Sequence, residues 1–170
     1  FPNDWALSYN QAILALTEGD TVVTNQYINK WNSIVRERLW SEAKILRNLA
    51  GIYSRANYLD KAEELYRKSL FLESESSLKL LRLNVLSYFL IDKDRNVIEG
   101  MELVERALES DPENYDYLHT KGWGLYKQGK YSEAVVMLQK SWDLRLKNAV
   151  YDHNAFLHLE AAKNAVAAQK

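Results

Sequence analysis

The sequence holds 170 residues, with 22 Lys and Arg against 23 Asp and Glu and a net charge of −1, a balance that argues against a nucleic-acid binder and against an anionic membrane surface as partner, since both need a basic face. Cysteine is absent, which removes disulfides, thiolate nucleophiles and Cys-based zinc sites. A hydrophobic content of 47% beside 26% charge suits a folded chain with a core, while the strongest apolar run, Val85 to Ile91, falls well short of the roughly 20 residues of a membrane helix, so no membrane insertion is expected.

Phe1 rather than Met opens the chain, which points to a processed product or an excised fragment. Two prolines and six glycines follow, too little turn punctuation for a sheet protein of this length. Gly19-Asp20 marks a first turn, with Ile28 and Trp31 on the helix after it. Apolar or small residues then recur at three and four in Leu46, Leu49, Ala50 and Tyr53, and again in Ala62, Leu65, Tyr66 and Ser69. Each set is one stripe of an amphipathic helix. Glu102 to Leu108 repeats the pattern, Asp111-Pro112 stops that helix, and Asn114 can cap the next. The Ala161 to Ala168 stretch has high helix propensity. The expected fold class is all-α.

Self-similarity is strongest in the 34 residues 115–148, with Leu118, Gly122, Leu125, Gly129, Tyr131, Ala134, Leu138 and Ser141 at regular places. Small and large residues alternate there as paired helices require. The stretch resembles a tetratricopeptide repeat. Counting back by the same period gives 81–114, with Gly100, Val104, Ala107 and Pro112 at matching places. Asn84 and Tyr88 depart from the pattern, and a large Tyr88 opposite Gly100 reads as a compensating pair. Residues 43–76 carry Leu46, Leu49, Ala50, Tyr53, Ala62, Tyr66 and Ser69 at the expected offsets. Residues 5–38 keep Ala12, the Gly19-Asp20 turn, Ile28 and Trp31. The resemblance implies one domain over 1–170, a right-handed α-α superhelix of four helix pairs. A C-terminal helix at about 149–169 would cap it with Phe156, Leu157 and Leu159. Across Leu81 to Trp142 the chain is also similar to repeat proteins of bacterial envelopes, which would put it in a periplasm or cell envelope.

In such repeats the first helix of each pair lines a concave groove. Transferred position by position, the candidate peptide-groove residues include Arg47, Arg82, Phe89, Asp116, His119, Trp123 and Tyr126. Trp123 suits binding and packing equally; Phe89 suits packing better, and Arg47 and Arg82 also read as solvated charges. Some relatives clamp C-terminal carboxylates with Lys and Asn at fixed groove positions. The corresponding sets here are Tyr9 and Ile13, Arg47 and Gly51, and Val85 and Phe89, so no such clamp is reproduced.

Catalytic and metal patterns are missing from the sequence. His153 and His158 are five residues apart and diverge on a helix, no HExxH occurs, and Asp152 and Glu160 read as a solvated face. Gly122-Trp123-Gly124 lacks the Lys-Ser or Lys-Thr of a phosphate loop. The expectation is a non-catalytic scaffold without a cofactor that binds a protein or peptide. The alternative is a structural or assembly role, or an appendage of a larger bacterial protein. Self-association would then run through an exposed Trp40 and Trp142.

Overall fold

A computed structural model of the protein describes residues 4–169; Phe1 lies outside them. Among the described residues there are nine helices and no strand. They form two compact units, one up to Arg82 and one from Leu83. The first holds α1 (Trp5–Thr17), α2 (Thr21–Glu37), α3 (Glu42–Arg55), α4 (Leu59–Leu72) and the beginning of α5 (Ser76–Asp92). The second holds the rest of α5, then α6 (Val97–Ser110), α7 (Tyr115–Lys127), α8 (Tyr131–Lys147) and α9 (His153–Ala168). Within the first unit α1 packs on α2 and α3, and α3 on α4; within the second α7 packs on α6 and α8, and α9 on α7 and α8.

Local chemistry sets the helix ends. Asp4, Asp20, Ser41, Asn96, Asn114 and Asp152 each accept a hydrogen bond from a first-turn N–H of the helix that follows, the group a helix start otherwise leaves unpaired. Asn114 therefore caps α7 as its position in the sequence suggests. Asp152 caps α9 through Ala155 and also stands 3.7 Å from Arg145, so it is not the free surface acid that the sequence pattern suggests.

The four turns inside helix pairs share one geometry. Gly19, Asn57, Asp94 and Gly129 all have positive φ. In each turn the next residue's N–H reaches the carbonyl five residues back: Asp20 to Ala15, Tyr58 to Tyr53, Arg95 to Leu90 and Lys130 to Leu125. Glycine suits such a left-handed residue best, and Asn and Asp tolerate it. In three turns the second helix starts two residues past the left-handed one; after Asp94 it starts three past, because Asn96 is extra.

That extra residue corrects the register of α5. Ser87, not Tyr88, lies against Gly100: its hydroxyl donates to the Gly100 carbonyl at 2.6 Å. A Cβ on Gly100 would meet Ile91 Cγ1 at 2.6 Å and the Ser87 carbonyl at 3.0 Å. Tyr88 turns away and stacks on His119, ring centroids 5.8 Å apart. The expected Tyr88–Gly100 swap does not exist; the small residue at the close approach is Ser87, one place earlier.

The cores follow the small-and-large alternation. Ala12, Ala50, Ala62, Ala107 and Ala134 are fully buried, and a Cβ on Gly122 would sit 2.7 Å from Leu138. Ser69 donates to the Ala43 carbonyl and Ser141 to the Tyr115 carbonyl, both at 2.6 Å. These are the same bond in two repeats. Trp40, expected to be exposed, is half-buried: it meets Trp5 at 5.3 Å and Trp31 at 6.4 Å, and Lys44 lies over its ring. Trp5 and Trp40 pack on the cluster of the buried Trp31, Val35 and Ile45. Trp142 is half-buried against Tyr151 and Phe156.

Candidate functional site

In the first unit the first-helix face is made by α1 and α3. Arg47, Gly51 and Arg55 are four residues apart in turn, so they share one face of α3. Gly51 has no side chain, and the Tyr9 hydroxyl from α1 fills the space: a Cβ there would come within 2.5 Å of it. Arg55 lies over the Tyr9 ring at 5.6 Å. Tyr66 reaches the same region from α4, hydrogen-bonded to Ser54. Burial raises the pKa of Tyr9 and lifts Tyr66 to about 12 against the pull of Arg47 and Arg55, so both phenols stay protonated.

Arg82 stands beside Arg47 and is 5% exposed. Its carboxylate partner is the equally buried Glu73, at 3.4 Å. Burial, and then the like charge of Arg47, push the Arg82 pKa down, with Glu73 opposing. The Nε atoms of Arg47 and Arg82 are buried without a hydrogen-bond partner. Among the described residues neither Arg47 nor Arg55 has a carboxylate within ion-pair distance, whereas Arg36, Arg67 and Arg145 each do.

The face of α7 in the second unit is arranged differently. Asp116 accepts a short charge-assisted bond from the buried Arg145 of α8. His119, 6% exposed, meets His158 of α9 through ring nitrogens 3.0 Å apart. Trp123 stacks on His158 with centroids 3.7 Å apart, and its indole N–H donates to Asp92 at 3.2 Å. Tyr126 stacks on the other side of Trp123 at 4.6 Å. Burial and the facing His158 hold His119 down to about 3, and burial lowers His158 as well, so the pair is neutral at pH 7.

The candidate residues thus divide. Arg47 is half-buried with spare bonding capacity. Asp116, His119 and Trp123 are engaged with neighbours in their own unit, and Tyr126 is half-exposed at the end of the stack. Arg82 is buried on Glu73, and Phe89 is 4% exposed. Sequence reasoning missed Arg55 and Tyr66. Arg55 was signalled by the i, i+8 pair of arginines flanking Gly51; the meeting of His119 with His158 has no local signal.

Residues 116–155, which span α7, α8 and the start of α9, match the tetratricopeptide repeat family. No curated protein matches the chain by sequence. Among solved structures, BtubC (BKLC) from P. vanneervenii is 19% identical with a TM-score of 0.62, covering 92% of this chain and 70% of its own. A putative kinesin light chain with TPR-like repeats from Podosopora anserina is 19% identical with a TM-score of 0.59, covering 98% and 88%. MamA from AMB-1 is 14% identical with a TM-score of 0.55, covering 94% and 88%. Identities this low speak for the fold alone. The fold is that of a tetratricopeptide-type solenoid, and residues 116–155 are similar to a tetratricopeptide repeat. Such repeats form a protein-interaction scaffold, and as a class they are generally non-catalytic. No helix among the described residues is long and apolar enough to cross a membrane.

Proposed function

We propose that the chain is a non-catalytic binding scaffold that holds a segment of a partner protein against the first-helix face of its repeats. One observation carries this reading: Arg47 and Arg55 stand on the α1–α3 face without a carboxylate, beside Tyr9, while the matching residues of α7 are already paired. Arg47 is half-buried with its Nε short of a partner, which a ligand satisfies at a net gain, and Arg55 is exposed, so a ligand reaches it. Arginine and tyrosine are also the side chains that most often anchor interfaces.

Affinity capture from native extract tests it. The intact chain is compared with Arg47→Ala/Arg55→Ala and with Ile98→Ser/Val136→Ser, the latter on exposed sites of second helices. All three forms first have to show equal helical content and melting. Loss of the captured partner in the arginine variant alone is the expected result. Loss in the second-helix variant alone would move the interface off the groove face.

A further inference from the structure

We propose that the α1–α3 face is a phosphoryl-binding site, at which Arg47 and Arg55, with Tyr9 beside them and Arg82 behind, receive a phosphate monoester on the partner segment. The inference rests on the scaffold reading and names the chemistry of what the face holds.

Charge is the first argument. Arg47 and Arg55 both act on Tyr66, and Arg47 acts on Arg82 as well, with Glu73 as the carboxylate paired to Arg82. Two positive charges are left over. A phosphate monoester carries about −1.5 to −2 at pH 7 and cancels them, whereas a single carboxylate cancels half. Burial, and then the like charge of Arg47, lower the proton affinity of Arg82, with Glu73 opposing them.

Unused donors are the second argument. The Nε–H group of Arg47 is buried without a partner, a costly condition that an acceptor relieves. Phosphate offers three strong acceptor oxygens, and guanidinium forks match their geometry better than an ammonium does. The lysine nearest on α3, Lys44, is instead placed over the Trp40 ring at 4.0 Å. Tyr9 keeps its proton, because burial raises its pKa, and it can donate a further bond.

Shape is the third. Gly51 between the two arginines gives the Tyr9 hydroxyl its place against α3. Arg55 covers that ring. Arg47 and Arg55 of α3 and Tyr9 of α1 therefore share one side of α3. Arg82, at 5% exposure, contributes field from behind and is not the contact itself.

Calorimetry on the intact chain tests this with four probes: a five-residue glycine peptide bearing a central phosphoserine, its unphosphorylated form, its glutamate form, and inorganic phosphate. Arg47→Gln and Arg55→Gln, both matched to the unmodified chain by circular dichroism, serve as site variants. The phosphopeptide should bind at least ~10-fold more tightly than the glutamate form, and each variant should lose about 10-fold. Added salt should weaken the binding. Equal binding of phosphoserine and glutamate peptides would overturn the phosphoryl assignment in favour of a carboxylate. No binding, or binding indifferent to both substitutions, would overturn the site. Inorganic phosphate binding as tightly as the phosphopeptide would overturn the partner segment as its source. If phosphopeptide binding fails while Arg47 and Arg55 still govern partner capture, this inference falls and the scaffold reading stands. If capture fails while the phosphopeptide binds, the scaffold reading falls.

Discussion

His119 and His158 meet through ring nitrogens 3.0 Å apart, one donating to the other, with parallel rings 5.0 Å between centroids. Protonating both imidazoles would set two donors against each other, and burial makes even the first proton costly. Asp92 and Asp152 favour protonation of His119 while Arg145 opposes it, and burial outweighs them all. His119 is held down to about 3, so as pH falls the unfolded chain takes up protons first. The stabilisation is therefore present above about pH 6.5 and is lost progressively toward pH 3. Between pH 6.5 and 5 His119 alone accounts for about 2 kcal/mol. Hydrogen exchange in α7 and α9 at pH 7 and pH 5 reads this loss once corrected for intrinsic rates. His119→Gln keeps a polar partner for His158 but cannot titrate there, and should flatten the pH response. An unchanged response would assign the acid sensitivity to other groups.

At the scale of the helix, close approach rather than aromatic content decides where α5 and α6 meet. Gly100 lies where a Cβ would press on Ile91 at 2.6 Å and on the Ser87 backbone carbonyl at 3.0 Å. Ile91 has some freedom to move and the carbonyl has little. Gly100→Ala should cost about 1–3 kcal/mol by overpacking, despite the better helix propensity of alanine. Ile91→Ala is costly in itself but removes the γ carbon in the way, so Gly100→Ala should cost less in that background, which urea denaturation measures. An additive double variant would show that the backbone contact dominates. The helices and most of their ends were legible, because caps and turn residues act within a few positions of themselves. Asn96 was not, since one extra turn residue leaves the hydrophobic pattern of each helix intact and shifts only their relation. Counting back from Tyr115 by a fixed period therefore put Tyr88 and Phe89 one place out. The face of α3 was half legible: Arg47 follows from the repeat, whereas Arg55 and Tyr66 gain meaning only when α1 and α4 fold beside them.

Across the molecule the same bond recurs at the same place in different repeats. Ser69 ties α4 to the first turn of α3 through the Ala43 carbonyl, and Ser141 ties α8 to the first turn of α7 through the Tyr115 carbonyl. One bond belongs to the unit up to Arg82 and the other to the unit from Leu83. Both hydroxyls are buried, at 1% exposure, so water does not replace the missing donor in an alanine variant. The acceptors are helix carbonyls that can keep their own backbone partners, which limits the damage to about 1 kcal/mol apiece. In a repeat protein each helix pair is stabilised chiefly by itself and its nearest neighbours. Ser69→Ala should therefore lower hydrogen-exchange protection in α3 and α4, and Ser141→Ala in α7 and α8, by similar amounts. The two residues share no partner, so the double variant should show the sum of the single effects within about 0.5 kcal/mol. Loss of protection in α7 and α8 on Ser69→Ala alone would mean instead that the repeats are held as one cooperative body, with the equivalence of the two bonds a matter of geometry alone.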